Sequence, residues 1–131
     1  MRASLVVVHP GFLLGRKREE AIAAVVEQLG ELHERLDAKG RIVPLGVEIM
    51  GRVRELGSRD DVLEIASQLG WVQHVLDFAH LHTVTGGGVT GVEAFARVLA
   101  AADGVLEAGT PFHINFSDIS FANRNERPHL A

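Results

Sequence analysis

The sequence predicts an α/β fold built on a parallel sheet, and two observations predict it. Short apolar, β-branched runs alternate with longer stretches of helical period in the order β-α-β-α-β-α-β, the pattern of strand–crossover–strand units. Each apolar run also leads into a side chain able to ligate a metal. Val6-Val7-Val8 runs into His9 and Val47 into Glu48; Leu76 runs into Asp77, with His80 three residues on, and Pro111-Phe112 runs into His113. The steps from 9 to 48, 48 to 77 and 77 to 113 are 39, 29 and 36 residues, and one unit takes about 30 or more. One such residue per unit is what a ring of parallel strands supplies when it carries a site on its carboxyl-end face.

Taken in order, residues 3–8 read as a strand covered on both faces, because the β-branched run does not alternate; His9-Pro10-Gly11 stops it. Residues 17–38 form the longest helix, with Ala21, Ile22, Val25, Val26, Leu29, Leu32 and Leu36 at spacings of three and four. Gly40 is placed to cap its end. Residues 42–48 form the second strand and 49–57 a loop carrying Arg52 and Arg54. Ser58 then reads as an N-cap, with Asp60 and Asp61 in the first turn of a helix over 59–69. The third strand spans 71–77. A loop follows over 78–89 with His80, His82 and Gly86-Gly87-Gly88, then a helix to about Ala102 opened by the capping-box spacing Thr90-Gly91-Val92-Glu93. The fourth strand covers about 110–116, and the chain ends in a polar stretch through Glu126 and His129. Four strands are too few for a complete eight-stranded barrel.

The composition narrows the functional classes. The 131 residues are 47 % hydrophobic and 23 % charged, which suits one globular domain with a real core. No cysteine is present, so any transition-metal site must use imidazole and carboxylate. The net charge of −4 argues against holding nucleic acid by overall basicity, though not against local phosphate contacts. No run has the roughly 18 apolar residues of a membrane helix and nothing resembles a signal peptide, so a cytoplasmic location is the default expectation.

The set His9, Glu48, Asp77, His80, His113, Glu126 and His129 suits zinc, manganese or iron(II). A carboxylate such as Glu48 can bridge two ions, and Asp77 and His80 can serve neighbouring ones. A single strand-end histidine or acid is more often a turn former; the repetition over four consecutive strands is what argues for a shared site. The remaining histidines read differently: His33 as solvated on the long helix, His74 as packed in the core, and His82 as either a supporting or a loop residue. Gly86-Gly87-Gly88 reads as a flexible loop, Arg16-Lys17-Arg18 as a solvated charge run, and Trp71 as packing.

With these residues in view, the chain resembles the endonuclease IV family of apurinic/apyrimidinic endonucleases and, more broadly, the xylose-isomerase-like TIM barrels. The resemblance rests on Val8-His9-Pro10-Gly11, Gly46-Val47-Glu48, Leu76-Asp77-Phe78-Ala79-His80 and His113-Ile114-Asn115-Phe116-Ser117-Asp118. It implies a partial (half) TIM barrel, a single domain over 1–131 that is a fragment of a longer barrel, and a site of up to three zinc ions that cleaves DNA at abasic sites. By position, His9 would bind the first zinc, Glu48 would bridge the first and second, and Asp77 and His113 would bind the second. His80 would bind the third with Glu126 and His129, although Glu126-Arg127-Pro128-His129 is one residue longer than the Asp-x-His motif of the family. Further ligands of the family site have no counterpart in this chain.

Two other functions remain open at this level. One is a divalent-metal sugar isomerase or epimerase on the same barrel, with manganese possible and Glu48 moving a proton; the other is a half barrel that binds metal without catalysis. For DNA, Arg52, Arg54, Arg124 and Lys17 are the expected backbone contacts. The open edges of half a barrel favour self-association or a complementary half barrel as partner.

Overall fold

The computed structural model describes residues 3–104 and 113–127. Four parallel strands form one sheet in sequential order: β1 (Val6–Val8), β2 (Leu45–Glu48), β3 (Val72–Asp77) and β4 (His113–Asn115). Helices α1 (Arg18–Asp37) and α2 (Arg59–Gln68) connect the first three strands. Helices α3 (Phe78–Val84) and α4 (Gly91–Asp103) lie between the third and fourth. The sheet and its alternating helices make half of a TIM barrel.

Register decides which side chains share a face. Glu48 pairs with Val75 and Val75 with His113, while Asp77 pairs with Asn115. Because side chains alternate along a strand, Gly46, Glu48, Val75, Asp77, His113 and Asn115 share the inner face. Leu45, Val47, Val72 and Leu76 take the other and pack against Ile22 and Leu29 of α1, Val62 and Ile65 of α2, and Val98 of α4. This helix-side layer is the core. His74 belongs to it and is fully buried in mid-strand, as a packed core histidine should be. Gly46 is needed on the inner face, since a Cβ there would stand 2.7 Å from Cγ2 of Val75 and 3.3 Å from Cδ2 of Leu5.

Several local expectations are corrected. Strand β1 is not covered on both faces: Val6 and Val7, which point to opposite faces, are both exposed, because β1 lies at the edge of the sheet. Within 78–89 there is a helix, α3, rather than a loop throughout. The Asp77 side chain caps it by accepting from the His80 amide at 2.8 Å. Phe78, Ala79, His80, Leu81 and Thr83 are all buried, so the segment shows no one-sided stripe. Gly86 and Gly87, with φ of 69° and 92°, turn the chain out of it.

The polar stretch after β4 contains a hairpin, β5 (Phe121–Ala122) and β6 (Asn125–Glu126). Asn123 and Arg124 form its two-residue turn with φ of 52° and 59°, as the twist of paired strands requires. The hairpin is held to the loop after β2, where the Glu126 amide donates to the carbonyl of Gly51 at 2.9 Å. The capping box at Thr90 does not close; Thr90 makes no side-chain cap. Ser58 does cap α2, accepting from the Asp61 amide while Asp61 accepts from the Ser58 amide. His33 is not simply solvated: its ring stacks on Trp71, the residue before β3, with centroids 4.1 Å apart. Among the described residues no helix is long and apolar enough to cross a membrane.

Candidate metal centre

The carboxyl ends of the strands bring together Glu48, Asp77 and His80. Their ligand atoms lie within 4.8 Å of one another, and the residues are 6 %, 5 % and 7 % exposed. Glu48 is the last residue of β2, Asp77 the last of β3, and His80 sits in the first turn of α3. The Asp77 cap therefore fixes the relation between the last two.

Two flanking residues extend the group. Nε2 of His9 lies 2.8 Å from Oε2 of Glu48. On the other side, Nε2 of His80 lies 2.9 Å from Oε2 of Glu126, delivered by β6. The result is a continuous run, His9–Glu48–Asp77–His80–Glu126. His113 shares the inner face with Glu48 but opens β4 and is exposed, one side-chain repeat below the strand end. His129 lies outside the described residues.

The donor set fits a divalent cation on two grounds. Buried carboxylates placed beside one another carry a charge that needs compensation. His80 also keeps Nδ1 at 2.7 Å from the carbonyl oxygen of Ile49, which makes Nδ1–H the donor and turns Nε2 towards Glu126. Oε2 of Glu126 is buried yet accepts no hydrogen bond among the described residues. Ligating imidazoles are held in this way, donating one ring N–H to a backbone carbonyl so that the other nitrogen is aimed at the ion. Two donors on one tetrahedral zinc at about 2.0–2.2 Å each stand roughly 3.3–3.6 Å apart, and the ligand atoms of Glu48, Asp77 and His80, within 4.8 Å of one another, need only a small approach to reach that spacing.

Three residues join the site that the strand-end pattern did not single out. Asn115 donates from Nδ2 to Oε1 of Glu48, so Glu48 is held from both sides, by Asn115 and His9. Gly51 lets Glu126 and His80 meet, since a Cβ there would lie 2.5 Å from Oε2 of Glu126 and 2.8 Å from Cδ2 of His80. Glu55 is 5 % exposed. Its burial pushes the carboxyl pKa up; Arg52 opposes the rise, nearby Glu126 adds to it, and His80 and His9 oppose it. Arg52 reaches both acids, with NH1 3.7 Å from Oε1 of Glu55 and Nε 3.4 Å from Oε1 of Glu126. His82 has a loop role: Nδ1 meets the carbonyl of Val89 at 2.9 Å and the ring sits edge-on to Phe121.

Comparison with known proteins agrees with the architecture. The family model described as xylose isomerase-like TIM barrel matches residues 1–129. An uncharacterised protein of Methanocaldococcus jannaschii is 28 % identical over 126 residues. That match covers 95 % of this chain and 46 % of the relative, so the chain spans about half the length of the curated relative it matches. No solved structure matches the chain significantly.

Proposed function

Because the chain belongs to the xylose isomerase-like TIM barrel family, we propose that its strand-end cluster holds divalent metal, zinc first, and serves phosphodiester hydrolysis at abasic sites in DNA. The observation that carries this reading is the run His9–Glu48–Asp77–His80–Glu126. Five donor side chains in one line exceed what a single tetrahedral ion with an open position takes, which favours a site of two or more ions.

When bound, such ions supply Lewis acidity to a water and neutralise charge on a phosphate. The residues of the chain do the holding. Glu48, between His9 and Asp77 in the run, is placed to be shared between neighbouring ions, and Asn115 fixes the direction of its carboxylate. The Ile49 carbonyl orients the imidazole of His80. The hairpin brings Glu126, and His113 and His129 complete the set in this reading. Arg52, Arg54, Arg124 and Lys17 are the proposed contacts to the DNA backbone, which position the strand without reading its bases.

A second reading, a metal-dependent sugar isomerase or epimerase with manganese as an alternative ion, is favoured by one observation. Glu55 is a buried carboxyl beside the cluster with its pKa pushed up, as suits a proton-transfer group. The test is zinc-loaded protein against duplex DNA carrying one abasic site, beside aldose–ketose interconversion with manganese. Cleavage lost in His80→Ala supports the nuclease; sugar interconversion without cleavage replaces it with the isomerase. Neither product leaves a metal-binding half barrel without catalysis.

A further inference from the structure

A cleft of about 230 Å³ opens beside the strand-end cluster and is lined by Arg18, Arg52, Glu55, Ser58 and Arg124, with Met50 and Val84 among its apolar contacts. Its three guanidinium groups come from three separate segments: the first residue of α1, the loop after β2 and the turn of the β5–β6 hairpin. Nothing in local sequence forces them together, so the fold itself converges three cations on one cavity.

Each arginine retains capacity for a ligand. Arg18 pairs with Asp61 through one terminal nitrogen, which leaves the remaining N–H groups of its guanidinium fork for a ligand. Arg52 stands at 3.4 and 3.7 Å from its acids, beyond normal hydrogen-bond length. Arg124 is exposed and makes no ion pair among the described residues. It also occupies a left-handed turn position, φ 59°, where glycine or asparagine is the usual choice.

A further observation points to an occupant. Glu55 lines the same cleft, is more than nine-tenths buried, and its Oε2 has no hydrogen-bond partner among the described residues. A buried carboxylate oxygen without a partner is costly and is relieved by a donor on a bound molecule.

We propose that this cleft binds a phosphate group, held by Arg18, Arg52 and Arg124, with Glu55 accepting from a hydroxyl on the same ligand. Guanidinium forks match phosphate oxygens, and a hydroxyl next to a phosphate is the feature of a phosphorylated sugar or polyol. The phosphate of such a small molecule and that of a DNA backbone share the chemistry, so the test separates the sources. Arg52 and Arg124 are also proposed contacts to the DNA backbone, so the inference deepens that reading with a defined cleft and a hydroxyl-accepting carboxylate, and it does not depend on bound metal.

The experiment is calorimetric titration of chelator-treated protein with inorganic phosphate, glycerol phosphate and an intact DNA duplex. Each probe is repeated on Arg124→Ala and Arg124→Lys, with folding checked by circular dichroism. Saturable binding of the small phosphates, weakened about tenfold in Arg124→Ala and partly restored in Arg124→Lys, is expected, with glycerol phosphate ahead of inorganic phosphate. Binding of the duplex alone, with the same response to the two variants, sustains a phosphate site whose source is the backbone. Absence of binding by all three probes, or binding unchanged in folded Arg124→Ala, overturns the proposal.

Discussion

Nε2 of His80 lies 2.9 Å from Oε2 of Glu126, across a sequence separation that the fold closes by laying the β5–β6 hairpin over the loop after β2. Gly51 is the contact point. Its carbonyl accepts from the Glu126 amide, and its missing side chain leaves the room in which the two side chains meet.

Gly51→Ala therefore tests the closure directly. The added methyl would stand 2.5 Å from the Glu126 carboxylate and 2.8 Å from the His80 ring, so these two side chains must move apart. A loss of about 1–3 kcal/mol in urea unfolding and metal affinity lower by about tenfold are expected. Gly70→Ala, with nothing within 4 Å of the new Cβ, is the control and should change neither.

Burial lowers the pKa of His74 from its ordinary 6.5. The unfolded chain then holds more protons than the folded one between the two values, so stability rises with pH there. The contribution is complete above about pH 6.5 and is lost as the pH falls through the lowered folded value. Urea midpoints of metal-free protein should fall between about pH 7.5 and about pH 5, with a shallower fall in His74→Leu. Equal slopes in the two proteins contradict the assignment.

The outer strands leave apolar surface open. Val6, Val7, Ile114 and Phe116 are exposed, and β1 and β4 are the ends of the sheet. Unpaired edges of this kind promote association. Light scattering of the chain alone should give a dimer or larger species, and a clean monomer at working concentration counts against it.

The parts of this fold that follow a period were legible in the sequence. The apolar runs closing on Glu48 and Asp77 located β2 and β3 together with the inner-face residues at their ends, because consecutive parallel strands align their carboxyl ends. The stripe from Ala21 to Leu29 located α1 for the same reason of period. What escaped has no period to read. Helix α3 is buried on every side, so its hydrophobicity is not one-sided. The hairpin has two-residue strands and an Asn123-Arg124 turn in place of the usual Asn-Gly, and it exists through its pairing with the loop after β2. Glu55 sat in what read as an ordinary arginine-bearing loop. Asn115 lies two residues after His113 with no chemistry of its own to mark it; only the register that aligns it with Asp77 brings it to Glu48.

His9, Glu48, Asp77, His80 and Glu126 are proposed to form one multi-ion centre. Elemental analysis of protein prepared without chelator, beside His80→Ala, tests it most directly. Two or three zinc ions per chain, with about one lost in the variant, is the predicted result for a site with this many donors. No stoichiometric metal in the parent chain, or a metal content unchanged by His80→Ala, would contradict it.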